Sequence, residues 1–207
     1  MFLLGRKLKM SQTWQDKKVV PVTVIKVEPN KVSLVRTKDR DGYEAVQVVV
    51  GRTKREFRTD GTAHSENKIK ANDVINVSIF EENDIVDIRG VSKGKGFQGV
   101  VKRHGFSGGP KTHGQKNRHR APGSIGSTAA QRVVPGRRMA GRMGGDTITV
   151  KNLKIAGIDK ENNIVLLRGA VPGIPGGLVE IRLRKRPPAA KKAESAPSDK
   201  KAKAKSK

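Results

Sequence analysis

The most constraining feature of this 207-residue chain is a 58-residue segment, 88–145, that contains no Asp or Glu. The segment carries 13 Lys and Arg and 14 Gly but few large apolar residues, so it is not expected to bury a core of its own. Folded surfaces normally mix both signs of charge, which makes an ordinary solvated face a poor explanation. The pattern predicts an irregular, polyanion-binding extension that a partner orders.

The net charge of the whole chain is +25, from 44 Lys and Arg against 19 Asp and Glu. Segment 88–145 supplies +13 of this charge and the C-terminal segment 185–207 another +7, whereas the rest is nearly neutral. Self-repulsion of this size is unfavourable for a free globular protein, so a polyanionic partner is expected. Nucleic acid is the first candidate, and an anionic membrane surface is the alternative.

The chain contains no Cys, which excludes disulfides, thiolate metal sites and a thiol nucleophile, and fits a reducing cytoplasm. Near the N-terminus, the apolar run Phe2–Leu4 is interrupted by Gly5 and then by charge. A secretory signal needs about 7–15 apolar residues and a membrane span about 20. A soluble, cytoplasmic protein is therefore expected.

Short segments rich in Val and Ile lie on both sides of the basic segment and are separated by Asn, Asp, Gly or Pro. Some alternate in polarity, as Val46, Val48 and Val50 do, which is typical of half-buried strands. The predicted strands are Val19–Val27, Val32–Val35, Tyr43–Val50, Val74–Phe80, Ile85–Val91, Thr147–Val150, Leu153–Ile158, Ile164–Leu167 and Leu178–Leu183.

These strands predict an all-β fold. The simplest arrangement is a small closed β-barrel made from residues 1–90 and 146–184, because closure removes exposed strand edges. Residues 91–145 then form an irregular extension inserted into the barrel, which we call the arm. Residues 185–207 are rich in Ala, Lys, Ser and Pro and are predicted to form a disordered Lys-rich tail.

Residues Gly94–Gly99 match the G-x-G-x-x-G pattern of nucleotide-binding loops. A dinucleotide site needs an acidic residue about 20 positions later, but Arg118, His119 and Arg120 occupy that neighbourhood. A kinase loop needs acidic catalytic and magnesium-binding motifs downstream, and no matching motif follows. The glycines are better interpreted as points where the backbone approaches RNA phosphates closely.

Three histidines in the arm, His104, His113 and His119, are nine and six residues apart, with Lys or Arg nearby and no carboxylate. Zinc ligands usually lie closer together in sequence and often include Cys. Acid–base or triad catalysis also needs a carboxylate or an oriented base. We therefore expect no metal, no cofactor and no enzymatic activity, and interpret the imidazoles as RNA contacts.

Aromatic residues are scarce, seven in all. Sheets and barrels that read single-stranded RNA use exposed aromatic platforms for base stacking. The scarcity favours recognition of folded RNA by its shape and backbone, with Arg and Lys neutralising phosphates.

Four motifs follow one another along the chain: Val91–Arg103, Thr112–Gly114 with His119–Gly126, Met139–Gly144 and Arg168–Gly173. In order and spacing they resemble the signatures of the bacterial ribosomal protein L-three family. Gly5, Lys7, Met10 and the segment Pro21–Ile25 extend the resemblance, which covers about residues 5–184.

The resemblance implies a translation-protein-type β-barrel on the surface of the large ribosomal subunit, with the arm reaching through rRNA towards the peptidyl transferase centre. It also implies direct binding to 23S rRNA early in assembly and contacts with neighbouring ribosomal proteins, without a membrane or a small-molecule substrate. Many bacterial members carry an Asn-Gln pair after the Gly-Ser-Ile-Gly motif, but here Thr128 and Ala129 stand at these positions.

The candidate rRNA contacts are cations and histidines of the arm: Lys93, Lys95, Lys102, Arg103, His104, Lys111, His113, Lys116, Arg118, His119, Arg120, Arg132, Arg137, Arg138 and Arg142. The resemblance places the tip of the arm, near the peptidyl transferase centre, at Ser127, Thr128, Ala129 and Ala130. The alternative function is a free-standing basic nucleic-acid chaperone or DNA-compacting protein.

Overall fold

The computed structural model describes residues 1–15, 17–59 and 69–185. The predicted Lys-rich tail lies outside these ranges from residue 186 onwards. Strands dominate the described residues, which confirms the predicted mainly-β class.

The strands are β1 (Phe2–Gln15), β2 (Lys18–Lys26), β3 (Asn30–Arg36), β4 (Ala45–Val50), β5 (Thr53–Arg58), β6 (Val74–Ile75), β7 (Ile85–Val91), β8 (Phe97–Gln98), β9 (Gly141–Arg142), β10 (Thr147–Asp159), β11 (Ile164–Arg168) and β12 (Leu178–Lys185). Two short α-helices, α1 (Lys38–Asp41) and α2 (Val100–His104), and two 3-10 turns, Val77–Ile79 and Thr128–Ala130, complete the elements of the described residues.

Six antiparallel strands close into a barrel in the order β1-β12-β7-β10-β11-β2. Strand β1 closes the ring by pairing with β12 through Phe2–Arg6 and with β2 through Arg6–Gln15. The register of β1 against β2 shifts between Lys7 and Met10, as at a β-bulge, and such a bulge lets a strand bend from one neighbour to the next.

A second, four-stranded sheet has the order β5-β4-β3-β6. The sequence predicts one barrel for all strands of residues 1–90, but the strands between Asn30 and Ile75 form this separate sheet. Strands β3, β4 and β5 are successive antiparallel neighbours, so pairing between chain neighbours satisfies their backbone groups without the barrel.

The two sheets share one hydrophobic core. Leu3, Ile25 and Ile181 of the barrel and Val48 of the second sheet are fully buried in the same cluster. Phe57 of β5 stacks on Phe2 of β1, with ring centroids 4.1 Å apart and planes 14° apart. We call residues 1–90 and 146–185 together the body.

The predicted strand over Val74–Phe80 is wrong beyond Ile75. Val77 and Phe80 are both buried although they are three residues apart, a spacing that suits a turn and not a strand, whose faces alternate. The Phe80 N–H donates to the Val77 carbonyl at 3.1 Å and closes the 3-10 turn.

Four strands were not predicted from the sequence: β1, β5 and the two short strands β8 and β9 of the arm, which was expected to be irregular. Most of β1 beyond Gly5 is polar and exposed, and it is a strand because β2 and β12 pair with it. Strand β5 carries four charged residues in its six and buries only Phe57, so apolar alternation gave no signal there.

The arm leaves the barrel between neighbouring strands. The end of β7 pairs with the start of β10 through Val91 and Thr147, so the two ends of the arm emerge side by side. The barrel therefore fixes the position and initial direction of the arm.

Candidate nucleic-acid interface

The first part of the arm, residues 91–98 paired with residues 141–145, continues the pairing of β7 with β10, and we call it the neck. The Ser92 N–H donates to the Asp146 carbonyl at 2.8 Å, and Lys95 N–H donates to the Met143 carbonyl at 2.9 Å. Strands β8 and β9 then pair through Phe97 with Arg142. Backbone hydrogen bonds therefore hold the neck as a two-stranded ribbon despite its glycines.

Above the neck, helix α2 is attached to the returning chain by two of its side chains. The Arg103 guanidinium donates to the Met139 carbonyl at 2.7 Å, and His104 Nε2 lies 3.0 Å from the same oxygen. Val100 is the one buried residue of the arm, at 2% exposure. Helix α2 therefore depends on polar contacts more than on a core.

A side loop, residues 107–121, closes on itself beyond α2. The Gly109 N–H donates to the His119 carbonyl at 3.0 Å, and His119 Nδ1 lies 2.9 Å from the Pro110 carbonyl oxygen. Gly108 has a φ of +78°, and a Cβ there would lie 2.1 Å from the His119 carbonyl oxygen. Glycine is therefore required where the two sides of this loop meet.

The tip of the arm, residues 122–138, is cross-linked by one arginine. The Arg137 guanidinium donates to the Ser124 carbonyl, and the Ser124 hydroxyl donates to the Gly126 carbonyl at 3.0 Å. The four predicted tip residues, Ser127 to Ala130, are all exposed, and three of them form a 3-10 turn. Gln131 follows in a left-handed conformation with a φ of +48°.

The predicted contact residues fall into two groups. Arg103, His104 and His119 are half-buried, and each contacts a carbonyl of the arm itself. The other twelve are exposed: Lys93, Lys95, Lys102, Lys111, His113, Lys116, Arg118, Arg120, Arg132, Arg137, Arg138 and Arg142. The first group therefore shapes the arm, while the second leaves charge on its surface, and Arg137 does both because it also donates to the Ser124 carbonyl.

No residue of the arm takes part in an ion pair with the described part of the body. The ion pairs among described residues join partners of the body, for example Arg36 with Asp41 at 2.7 Å and Arg184 with Asp87 at 3.7 Å. The positive charge of the arm is therefore not neutralised within this part of the molecule.

At the base of the arm, a groove of about 640 Å³ lies between the neck, the barrel and β5. We call it the root groove. Its lining includes Arg55, Arg89, Gly94, Arg142, Ile174 and Glu180. Arg55 and Arg89 were missed as candidates, because they lie on two strands distant in sequence and nothing in the sequence shows that they converge.

Lys7 positions one wall of this groove. Its ammonium group donates to the carbonyls of Val171 at 2.7 Å and Gly173 at 3.0 Å, and its backbone N–H donates to the Gly177 carbonyl. Burial lowers the pKa of Lys7, and the nearby positive charge of Lys93 lowers it further. Lys7 thus connects β1 with the loop that follows β11.

A sequence model of the family described as Ribosomal protein L3 matches residues 7–164. This chain belongs to the ribosomal protein L3 family. The match covers the barrel strands β2, β7 and β10, the second sheet and the entire arm.

Three relatives from different bacteria, each named "Large ribosomal subunit protein uL3", illustrate the similarity. The protein of Thioalkalivibrio sulfidiphilus is 45% identical over an aligned length of 205. The alignment covers 87% of this chain and 95% of the relative. That of Herpetosiphon aurantiacus is 48% identical over 204 residues, with coverages of 86% and 94%. That of Thermomicrobium roseum is 48% identical over 198 residues, with coverages of 87% and 92%.

The glycine pattern of this L3-family arm does not form a nucleotide-binding loop. Gly94–Gly99 spans the turn into β8, and the strand pairings among described residues are all antiparallel, so the β-α-β unit of a dinucleotide site is not formed there. Within the described ranges, no three His, Asp or Glu side chains are grouped as metal ligands. No helix of the described residues is long and apolar enough to cross a membrane.

Proposed function

We propose that this chain is a structural, non-catalytic constituent of the large ribosomal subunit in the cytoplasmic ribosome, and that it binds 23S rRNA directly. Its membership of the ribosomal protein L3 family supports this role, as do relatives named as large-subunit proteins. In this proposal neighbouring ribosomal proteins are further partners, and no small-molecule substrate is involved.

The observation that carries the proposal is the charge on the arm. Twelve predicted contact residues are exposed, eleven of them Lys or Arg, and the arm contains no carboxylate. Phosphates of folded RNA supply the missing negative charge, and each contact releases counterions from the RNA. The free energy of the arm is therefore lower when RNA surrounds it than when it is in water.

The internal contacts of the arm suit this role. Arg103, His104 and Arg137 bind carbonyls within the arm, which restricts its conformations before RNA is present. Pre-organisation lowers the entropy cost of binding. The exposed cations then contact rRNA along the arm, which acts as an rRNA-penetrating extension of a translation-protein-type barrel. Ser127, Thr128, Ala129 and Ala130 lie nearest the peptidyl transferase centre.

The same geometry supports binding early in assembly. An arm with exposed cations on many sides enters a crevice most easily while the surrounding RNA is still open. Once the RNA has closed around it, the arm neutralises phosphates where RNA strands converge.

Sedimentation of ribosomes after a moderate salt wash tests the proposal. We expect the protein to migrate with the large subunit in a one-to-one ratio. Release by the wash, or migration with DNA, would instead support a free-standing nucleic-acid chaperone or DNA-compacting protein. With roughly 6–10 phosphate contacts, purified protein should bind rRNA about 10³–10⁵-fold more weakly at about 200 mM than at about 50 mM salt.

A further inference from the structure

The root groove combines cations from three separate parts of the chain. Arg55 comes from β5, Arg89 from β7 and Arg142 from the neck of the arm. The exposed Lys93 and Lys95 are the chain neighbours of Gly94, which lines the groove. The positive surface of the arm therefore continues into the groove.

The carboxylates of the groove are already engaged. Glu180 lies 3.4 Å from Arg55 and 3.8 Å from Arg89, and Glu56 lies 3.1 Å from Arg36, outside the groove lining. The side chains of Arg55 and Arg89 nevertheless remain 49% and 50% exposed, and a guanidinium has five N–H donors. The cations of the groove therefore exceed its free negative charge, with donors left for another anion.

Gly94 forms part of the groove wall and has no side chain. The fold of the protein itself does not require glycine at this position. A Cβ at this position would have no atom within 4 Å, and its φ lies outside the left-handed region. By contrast, Gly144 beside it has a φ of +76° and a Cβ there would lie 2.1 Å from the Lys93 carbonyl oxygen. The protein leaves this side of Gly94 open, so a partner can approach its backbone closely.

We propose that the root groove binds a segment of the rRNA sugar–phosphate backbone, separate from the RNA that surrounds the arm. Phosphates accept hydrogen bonds from Arg55, Arg89 and Arg142, and the backbone of the RNA packs against Gly94. This inference rests on the proposed function. An acidic protein segment has similar charge, but continuity with the cations of the arm favours the polyanion that the arm binds.

Gly94→Ala tests close approach without changing charge. With 23S rRNA of the same organism, we expect binding roughly tenfold weaker, an unchanged dependence on salt and an unchanged melting temperature. Gly157→Ala in β10 is the matched control, since its Cβ would meet only Leu166 at an ordinary 3.6 Å. Full affinity of the Gly94→Ala variant for rRNA would show that RNA does not pack against Gly94.

The arginines are tested together with their carboxylate, so that no charge is left buried alone. In the triple variant Arg55→Gln, Arg89→Gln, Glu180→Gln, we expect the slope of log affinity against log salt to become less negative by about 1 to 2. Glu180→Gln alone should bind RNA at least as tightly as the unaltered protein. An unchanged slope in the triple variant would overturn the proposal.

Because the chain has no Cys, a single introduced Cys carries a tethered iron chelate at one known place. Ile174→Cys lies on the groove lining and Ile174 is 58% exposed, whereas Val19→Cys lies on β2, opposite β7 in the ring. Ser127→Cys marks the tip. We expect the chelate at position 174 to cleave an rRNA segment different from the one cleaved by the chelate at position 127. The chelate at position 19 should not cleave the segment that position 174 reaches.

The outcomes separate this inference from the proposed function. Cleavage from position 127 but not from position 174 overturns the groove proposal alone. Cleavage from neither position overturns both. A photo-reactive group at position 174 that crosslinks to an acidic protein segment of the assembled subunit, with no RNA cleavage, assigns the groove to a protein partner and also overturns the proposal.

Discussion

The body and the arm are stabilised by different forces. In the body, apolar side chains such as Leu3, Ile88 and Ile181 are fully buried and ion pairs lie on the surface. In the arm only Val100 is buried, and backbone and cation–carbonyl hydrogen bonds define the shape. Each hydrogen bond contributes a net stability of only about 1 kcal/mol, far less than a packed core contributes. The body thus has the packed core of a scaffold, whereas in the proposed function the arm is shaped by its own hydrogen bonds to receive RNA.

Excision of the arm should separate the two forces most clearly. Replacing residues 93–145 with Asn-Gly leaves Ser92 and Asp146 at the ends of a two-residue hairpin turn, because they already pair. We expect the free energy of unfolding, measured with urea, to change by no more than about 1 kcal/mol. Affinity for 23S rRNA should fall by about 10³-fold or more, because most phosphate contacts are lost.

The unaltered protein at matched salt is the control for this excision. Unfolding of the excised protein at room temperature would show that the arm stabilises the body. Retained affinity would show that the body, and not the arm, is the principal RNA-binding surface.

A substitution in the shared core should have the opposite effect: a large loss of folding stability and little change in RNA binding. Phe57 is 1% exposed, stacks on Phe2 and lies under the Arg182 guanidinium, which is 5.2 Å from its ring centroid. We expect Phe57→Ala to destabilise the body by about 3–5 kcal/mol, because a large cavity forms between the sheets. Calorimetry measures the loss, and Phe57→Leu should recover much of it.

At temperatures where the Phe57→Ala protein remains folded, its salt-dependent RNA binding should match that of the unaltered chain. A changed slope would mean that the core also sets the conformation of the arm, so that body and arm are not independent.

A substitution in the neck should disturb the arm and spare the body. At Gly144, Ala would combine a left-handed φ with a Cβ 2.1 Å from the Lys93 carbonyl oxygen, so the ribbon must shift. We expect faster proteolysis within the arm and a change of no more than about 0.5 kcal/mol in the unfolding of the body. Gly99→Ala is the control for proteolysis, since Gly99 has a φ of −69° and open space around its Cβ position.

The sequence was informative where a property is local and uninformative where it depends on convergence. Strand β7 has the predicted ends, because alternation and β-branched residues act locally. The second sheet was missed, because nothing in β3 or β4 reveals which neighbours they pair with. Arg55 and Arg89, which the root-groove proposal adds to the site, were missed for the same reason. Composition and the flanking strands predicted the arm, and the resemblance predicted its tip, but neither showed which cations hold the arm together.

Two adjacent arginines give the smallest and most selective comparison. Arg137 and Arg138 are both exposed, but only Arg137 donates to the Ser124 carbonyl. We expect Arg138→Ala to make the salt slope less negative by about 0.9, as for one phosphate contact, and to leave the tip unchanged. Arg137→Ala should have the same effect on the slope and also increase proteolysis near Ser124. Arg137→Lys should restore the charge but not the cross-link, because a lysine ammonium lacks the planar, forked geometry of guanidinium.

If Arg137→Ala and Arg138→Ala are cleaved at the same rate, the Ser124 contact does not organise the tip. The shape of the tip would then have to come from the RNA, and the arm would be less pre-organised at its tip than at its neck.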